Sequence, residues 1–375
     1  MKEKTRERRQ GHLTSGIDYL CSDITPIRSS LKTFLASSKT KGSLTEYLAT
    51  KIIDHFKTTE KLIRVATQNG VECSDDSHPI SHLETSQQEA DTILFLHAID
   101  AASVGATVHI LSPDTDVYII ALKYQPILGE LAAVITGQGN NREAVHLKPI
   151  YDAIGSEIAA AFHFFTGCET VGRFAGKGKP SCWKALVSAS SETKNKFVNG
   201  FSGLGVEENP TENTFASLEH FVSYLFAPKA EVKEVGKARW LLFRQFQAEG
   251  KKLPPTKAAL KQHTNRANFQ AMIWNTAHMP FLYMPSPVGH GWIDEKGTMV
   301  PLTTLQNPAP DAVLELVQYS CAKSKCSANC SCRRNNLVCT EMCKCGADDD
   351  QCENTRVSHL VDSYSDDDQS DSDED

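Results

Sequence analysis

Eight of the chain's twelve cysteines crowd into residues 321–352, spaced Cys321-x4-Cys326-x3-Cys330-x-Cys332-x6-Cys339-x3-Cys343-x-Cys345-x6-Cys352. So short and polar a segment cannot close an apolar core of its own, and it folds only when metal supplies the missing free energy. Thiolates bind Zn²⁺ tetrahedrally, and C-x-C and C-x3-C spacings let neighbouring ions share sulfurs. The N-terminal stretch "MKEKTRERRQGHL" is basic and has no apolar h-region. The cysteines are therefore expected to be zinc ligands in a reducing compartment, nuclear or cytoplasmic and not secreted, rather than disulfides.

The other residues read as a soluble, globular chain. Of 375 residues, 40% are hydrophobic and 23% charged, enough for one large domain or two smaller ones. No run of about 18 apolar residues occurs, so no membrane contact is expected. The net charge of −7 is concentrated at one end, because residues 357–375 hold eight acids and no Lys or Arg. That tail is expected to be disordered and to offer a surface for protein partners. Basic clusters at 2–9, 173–184 and 233–266 permit contact with nucleic acid.

Periodicity divides the chain further. "SLTEYLATKIIDHF" reads as a helix opened by a capping box, Ser43 with Glu46. "KLIRVAT" (61–67) reads as a buried strand. "SQQEADTILFLHAIDAASVG" is a helix stopped by Gly105, "ATVHILS" and "GELAAVITG" contain strands, and "LKPIYDAIGSEIAAAFHFFTG" returns to helix. Alternation of this kind predicts an α/β fold with a parallel sheet flanked by helices, over about 1–200. A helical, then Gly/Pro-rich extension spans 201–318, with a helix start at Pro255 and Thr256 and a short hairpin near 284–302. The cysteine segment occupies 319–356 and the tail 357–375.

Within the α/β segment, acids stand where apolar elements begin or end. Asp114 and Asp116 follow the strand "TVHIL", Glu89 and Asp91 lie near the start of the preceding helix, and Glu169 ends an apolar helical stretch. Ligand sites of open α/β sheets gather at the carboxyl ends of strands. Mg²⁺ or Mn²⁺ takes oxygen ligands, and two such ions about 4 Å apart can drive phosphodiester hydrolysis. The same acids also suit helix N-termini and turns without any metal. A glycine-rich stretch, Gly172, Gly176 and Gly178 with Arg173, Lys177 and Lys179, reads as a phosphate cradle of backbone amides or as a plain surface turn.

Taken together, "EADT…SPDTDV…TGCET…GRFAGKGKPSCWKAL" resembles the core of the PIN-like nuclease superfamily in its flap-endonuclease-like branch. More closely, the chain is similar to animal proteins derived from mobile elements that join such a domain to a CXC-type zinc segment. The resemblance implies a PIN-like parallel sheet, with Glu89, Asp91, Asp114, Asp116 and Glu169 as the divalent-metal carboxylates of a nuclease. It also implies that the turn carrying Arg173, Gly176, Lys177, Gly178 and Lys179 holds a nucleic-acid backbone. The family's final aspartate falls here on Glu169. Its first aspartate would stand just before "MKEKTRERRQG" and its second would fall where Thr67 and Gln68 stand, so the expectation is either a truncated N-terminus or an incomplete site.

The cysteine segment is similar to the CXC motif of tesmin/TSO1-type proteins, in which nine cysteines bind three zincs. Eight positions match, while Tyr319 occupies the first and Asn329 stands at the place of a DNA-reading tyrosine. Lys323, Lys325, Arg333 and Arg334 are candidates for phosphate contacts. Two functions follow as expectations. One is a nucleic-acid-interacting protein acting as a Mg²⁺- or Mn²⁺-dependent nuclease with a zinc segment. The other is a domesticated scaffold that binds DNA or protein without catalysis, which the missing upstream acids favour.

Overall fold

The structure, a computed structural model, describes residues 18–27, 30–67, 69–87, 89–246 and 253–304, and in the cysteine region 326, 330–334, 339, 345, 352 and 354. The basic N-terminal stretch and the acidic tail lie outside the described residues. A short helix α1 (Leu31–Phe34) leads into α2 (Ser38–Phe56). The start of α2 differs from the expected capping box. Ser37 is the N-cap, its Oγ accepting from the Thr40 N–H at 3.3 Å, while Ser43 lies inside the helix and accepts from the Cys21 N–H at 2.8 Å. A residue able to cap stood earlier in the chain, and the helix extended to it.

Strands β1 (Arg64–Thr67) and β2 (Gly70–Cys73) form an antiparallel hairpin. Val71, Leu83 and Leu96 make a small apolar cluster that seats this hairpin on α3 (Ala90–Ser103). From α3, Asp100 accepts from the Arg64 guanidinium and pairs with His82 Nε2 at 2.6 Å. The far end of α3 closes as expected at Gly105, whose φ is +82°. Its N–H donates to the Ala102 carbonyl at 2.9 Å, and the Ala106 N–H donates to that of Ala101 at 3.1 Å, a double lock that satisfies the last carbonyls. The helix begins later than its periodicity suggests, because residues 85–87 bond to the chain after the last long helix. The Ser86 N–H donates to the Pro280 carbonyl at 3.0 Å, and the Gln87 amide donates to the Ala277 and Met279 carbonyls at 3.0 and 2.7 Å.

The central sheet has the order β3 (His109–Leu111), β4 (Ala133–Thr136), β5 (Glu143–His146). Helix α4 (Thr115–Leu128) crosses between β3 and β4, which therefore run parallel, with Ile110 beside Val134. Only a short turn at 137–142 joins β4 to β5, too short for a crossover, so Val134 meets Val145 in antiparallel register. The chain is thus mixed α/β with small sheets, and the expected parallel arrangement holds for one strand pair.

Helices α5 (Leu147–Ile154) and α6 (Ser156–Phe165) break at Gly155, φ +82°, where one continuous helix was expected. There follow α7 (Lys179–Ser188), α8 (Ser191–Ser202), α9 (Glu212–Phe226), α10 (Val235–Phe246) and α11 (Lys257–Asn275). Thr256 caps α11 as expected, accepting from the Ala259 N–H at 3.2 Å. The hairpin β6 (Trp292–Asp294) and β7 (Met299–Pro301) also forms where expected. A single turn, α12 (Ser331–Arg334), lies in the cysteine region.

Phe165, Phe197, Phe201 and Phe221 are fully buried and meet ring to ring at 5.1–6.3 Å between centroids. Burying each such side chain contributes about 1.5–3 kcal/mol. The core runs unbroken from Phe95 to Ala277. Residue 200, the expected end of the α/β segment, lies inside α8, and the residues on either side of it share that core.

Candidate functional site

Six described thiols form a second cluster separate from the main core. The sulfurs of Cys326, Cys339, Cys345 and Cys352 lie within 4.8 Å of one another, and so do those of Cys330, Cys332 and Cys339. Cys339 belongs to both groups. The single turn of α12 gathers the second one, with the Arg334 N–H donating back to the Cys330 carbonyl at 2.9 Å. Cys330 and Cys339 sulfurs stand 3.6 Å apart. Two thiolates on one tetrahedral zinc, each at about 2.3 Å, stand roughly 3.8 Å apart, so the spacing fits coordination and is too long for a disulfide.

The first group has the four sulfurs of a closed zinc site, and the second offers three. Burial, and hydrogen bonds to the thiols of Cys352, Cys330 and Cys326, push the Cys339 thiol above its ordinary range, while the Asn354 amide acts in the opposite direction. A bound cation reverses that balance, because a coordinating thiol is deprotonated outright. The donor set can hold a metal such as zinc. Cys321 and Cys343, the remaining expected ligands, lie outside the described residues. Arg333 and Arg334, on α12, are exposed beside the buried sulfurs.

Four of the five carboxylates sit at helix starts. Asp114 is the N-cap of α4, and its Oδ1 accepts from the Asp116 N–H at 2.9 Å. Asp116, in the first turn, directs Oδ1 at Nε2 of His163 on α6, 2.7 Å away, with the two side chains 15% and 7% exposed. The His163 ring stacks on Trp274 of α11 at 5.9 Å, which locks its orientation. Glu89 is the N-cap of α3 and Asp91 stands in its first turn, and α3 packs on α4. Glu169 is exposed in the turn after α6. Among the described residues, the groups that bring three or more potential ligand atoms within 4.8 Å are the two cysteine groups. As they stand, the oxygens of the five acids do not converge to that degree.

The glycine-rich turn joins α6 to α7. Gly167 has φ +123°, and a Cβ there would stand 2.8 Å from that of Arg173. The Cys168 N–H donates to the Val171 carbonyl at 2.9 Å, and the Lys177 N–H to that of Phe174 at 3.1 Å, with Gly176 at φ +66° between them. Arg173, Gly176 and Gly178 are exposed. The Lys177 ammonium lies 5.5 Å from the centre of the Phe226 ring. Lys179 turns inward, its ammonium donating to the carbonyls of His163, at 2.6 Å, and Gly167. Burial lowers the Lys179 pKa and raises that of the neighbouring Cys168 thiol.

Two residues absent from the sequence reading stand at these sites. His163, a single polar side chain in "AAAFHFF", pairs with Asp116. Asn354, just past the last cysteine, is buried and donates from Nδ2 to Cys339 Sγ at 3.5 Å. A lone histidine in an apolar helix was the one signal available for the first. No helix among the described residues is long and apolar enough to cross a membrane. No family model, curated protein or solved structure matches the chain.

Proposed function

We propose that this chain is a nucleic-acid-binding protein in which a PIN-like α/β body carries a C-terminal segment folded on zinc. The observation that carries this reading is the sharing of Cys339 between two buried thiol groups. Metal bound by these groups would fold the segment and hold α12 in place, the thiolates more than balancing the charge of the ions. The positive charge comes from the exposed Arg333 and Arg334 on that helix, and phosphates are its natural counter-charge. The resemblance to CXC-type segments supports the same partner.

The experiment is elemental analysis of the full chain together with fluorescence anisotropy on labelled DNA and RNA. Wild type should carry more than one zinc. Cys339→Ser should remove more zinc than Cys326→Ser, since of the described thiols Cys339 alone serves both groups. Chelation, or Arg333→Ala with Arg334→Ala, should weaken nucleic-acid binding and flatten its dependence on salt. A chain that carries no zinc, or whose binding ignores the chelator, would sink the reading.

A second reading, metal-dependent phosphodiester cleavage, is favoured by the position of Asp114 and Asp116 just beyond the end of β3, beside the helix that Glu89 and Asp91 open. Mg²⁺ or Mn²⁺ would supply activated water there. The dispersed carboxylates do not make a two-ion cage as they stand, and Asp116 already pairs with His163. Labelled single-stranded and flapped substrates with Mn²⁺ or Mg²⁺ decide it. Cutting that Asp114→Asn/Asp116→Asn abolishes would establish a nuclease, and intact substrate would leave the body a scaffold.

A further inference from the structure

Asn354 holds Cys339 from two sides. Its side-chain amide donates to the sulfur at 3.5 Å, and its backbone carbonyl accepts the Cys339 N–H at 3.0 Å. Asn354 is 9% exposed and Cys339 5%, so water has little access to either. The paired residues are fifteen apart, and Asn354 follows Cys352, itself a member of the four-thiol group, by two positions. This contact therefore ties Asn354 to the one described sulfur that belongs to both groups.

We infer that Asn354 is the positioning residue of the shared thiolate and that it governs binding of the second metal ion. The inference rests on the zinc reading above. A thiolate sulfur has three lone pairs, and bridging two ions uses two of them. The third, buried, needs a donor, because an unmet acceptor in a dry site is costly. An asparagine amide supplies an uncharged N–H at that place. An aspartate of the same shape would set a second anion against the sulfur. Contact with a fixed donor also sets the rotation of the Cys339 side chain, hence the directions in which its other lone pairs point.

The two groups do not depend on Cys339 equally. If its aim is lost, the first keeps Cys326, Cys345 and Cys352, whereas the second is left with Cys330 and Cys332 among the described thiols. Outer partners of metal ligands typically contribute about 10- to 100-fold in affinity. That loss should fall on one ion.

The test is zinc competition with a chromophoric chelator on the full chain, for wild type, Asn354→Ala and Asn354→Asp. A parallel Co²⁺ titration follows the thiolate-to-metal absorption. The weaker zinc step should weaken by about 10- to 100-fold in both variants, more in Asn354→Asp, while the tighter step stays near wild type. The absorption of the second Co²⁺ equivalent should shift and that of the first should not. Superimposable isotherms, or equal loss at both steps, would overturn the inference. Should Asn354→Ala fail to accumulate, the isosteric Asn354→Asp carries the same comparison. A wild-type chain with no tight zinc would instead overturn the zinc reading, and this inference with it.

Discussion

His263 projects from α11 between two phenylalanine rings, with centroids 5.1 Å from Phe165 and 4.9 Å from Phe174. Its Nε2–H donates to the Phe165 carbonyl at 2.7 Å. Burial pushes its pKa down to about 4, against an ordinary 6.5. Between those values the unfolded chain binds a proton that the folded chain refuses. Stability is therefore full above pH 6.5, falls as the pH drops towards 4, and levels off below it. At about 1.4 kcal/mol per pH unit of displacement, the loss is on the order of 3 kcal/mol. Burial also lowers the pKa of His97 and His220, which adds to the same trend. The urea midpoint of wild type should thus fall more between pH 6.5 and 4.5 than that of His263→Gln. Parallel curves would mean that the acid sensitivity comes from other groups. At this scale little was legible beforehand: "KQHTNRANF" has nothing in it that marks His263 as buried, because its neighbours Phe165 and Phe174 lie some ninety residues away.

Elements whose signals are local were read best. Thr256 caps α11 and Gly105 stops α3 because the capping oxygen and the positive φ act within a few residues of themselves. The start of α2 was misplaced by six residues, since Ser37 and Ser43 are equally good caps in isolation. Strand β5 was missed for a different reason. Its four residues, Glu143–His146, carry one half-buried side chain and owe their conformation to pairing with β4. The turn between α6 and α7 gives a test of how strictly such joints are built. Gly167→Ala would force a Cβ to 2.8 Å from that of Arg173 at φ +123°, a double penalty. It should cost about 1–3 kcal/mol, read as a lower urea midpoint. Gly172→Ala, five residues on, meets nothing within 4 Å and has no positive φ. It should be neutral or stabilise slightly, by under about 1 kcal/mol, through the unfolded state. Equal effects of the two would show that the turn tolerates rearrangement.

For the whole molecule, two kinds of cohesion stand side by side. The body is held by a continuous apolar core from Phe95 to Ala277, rich in phenylalanine. The cysteine segment has sulfurs where that core has rings, and its described buried side chains are six cysteines and Asn354. That the cysteines could hold a metal such as zinc was legible in the sequence, because their spacing carries it. How the thiols divide into groups that share Cys339 was not, since that depends on which sulfurs the folded chain brings together. The difference in cohesion decides what metal removal does. A strong chelator should expose the segment's thiols to a thiol-reactive dye, at a rate limited by zinc release. Meanwhile the helical circular dichroism of the body, and the midpoint of its main thermal transition, should stay within a few degrees of the zinc-loaded protein. The chain should then unfold in two steps rather than one, the small step disappearing with the metal. If the main transition fell along with the zinc, the segment would be part of the fold of the body, and its sulfurs would stabilise far more of the chain than the cluster they touch.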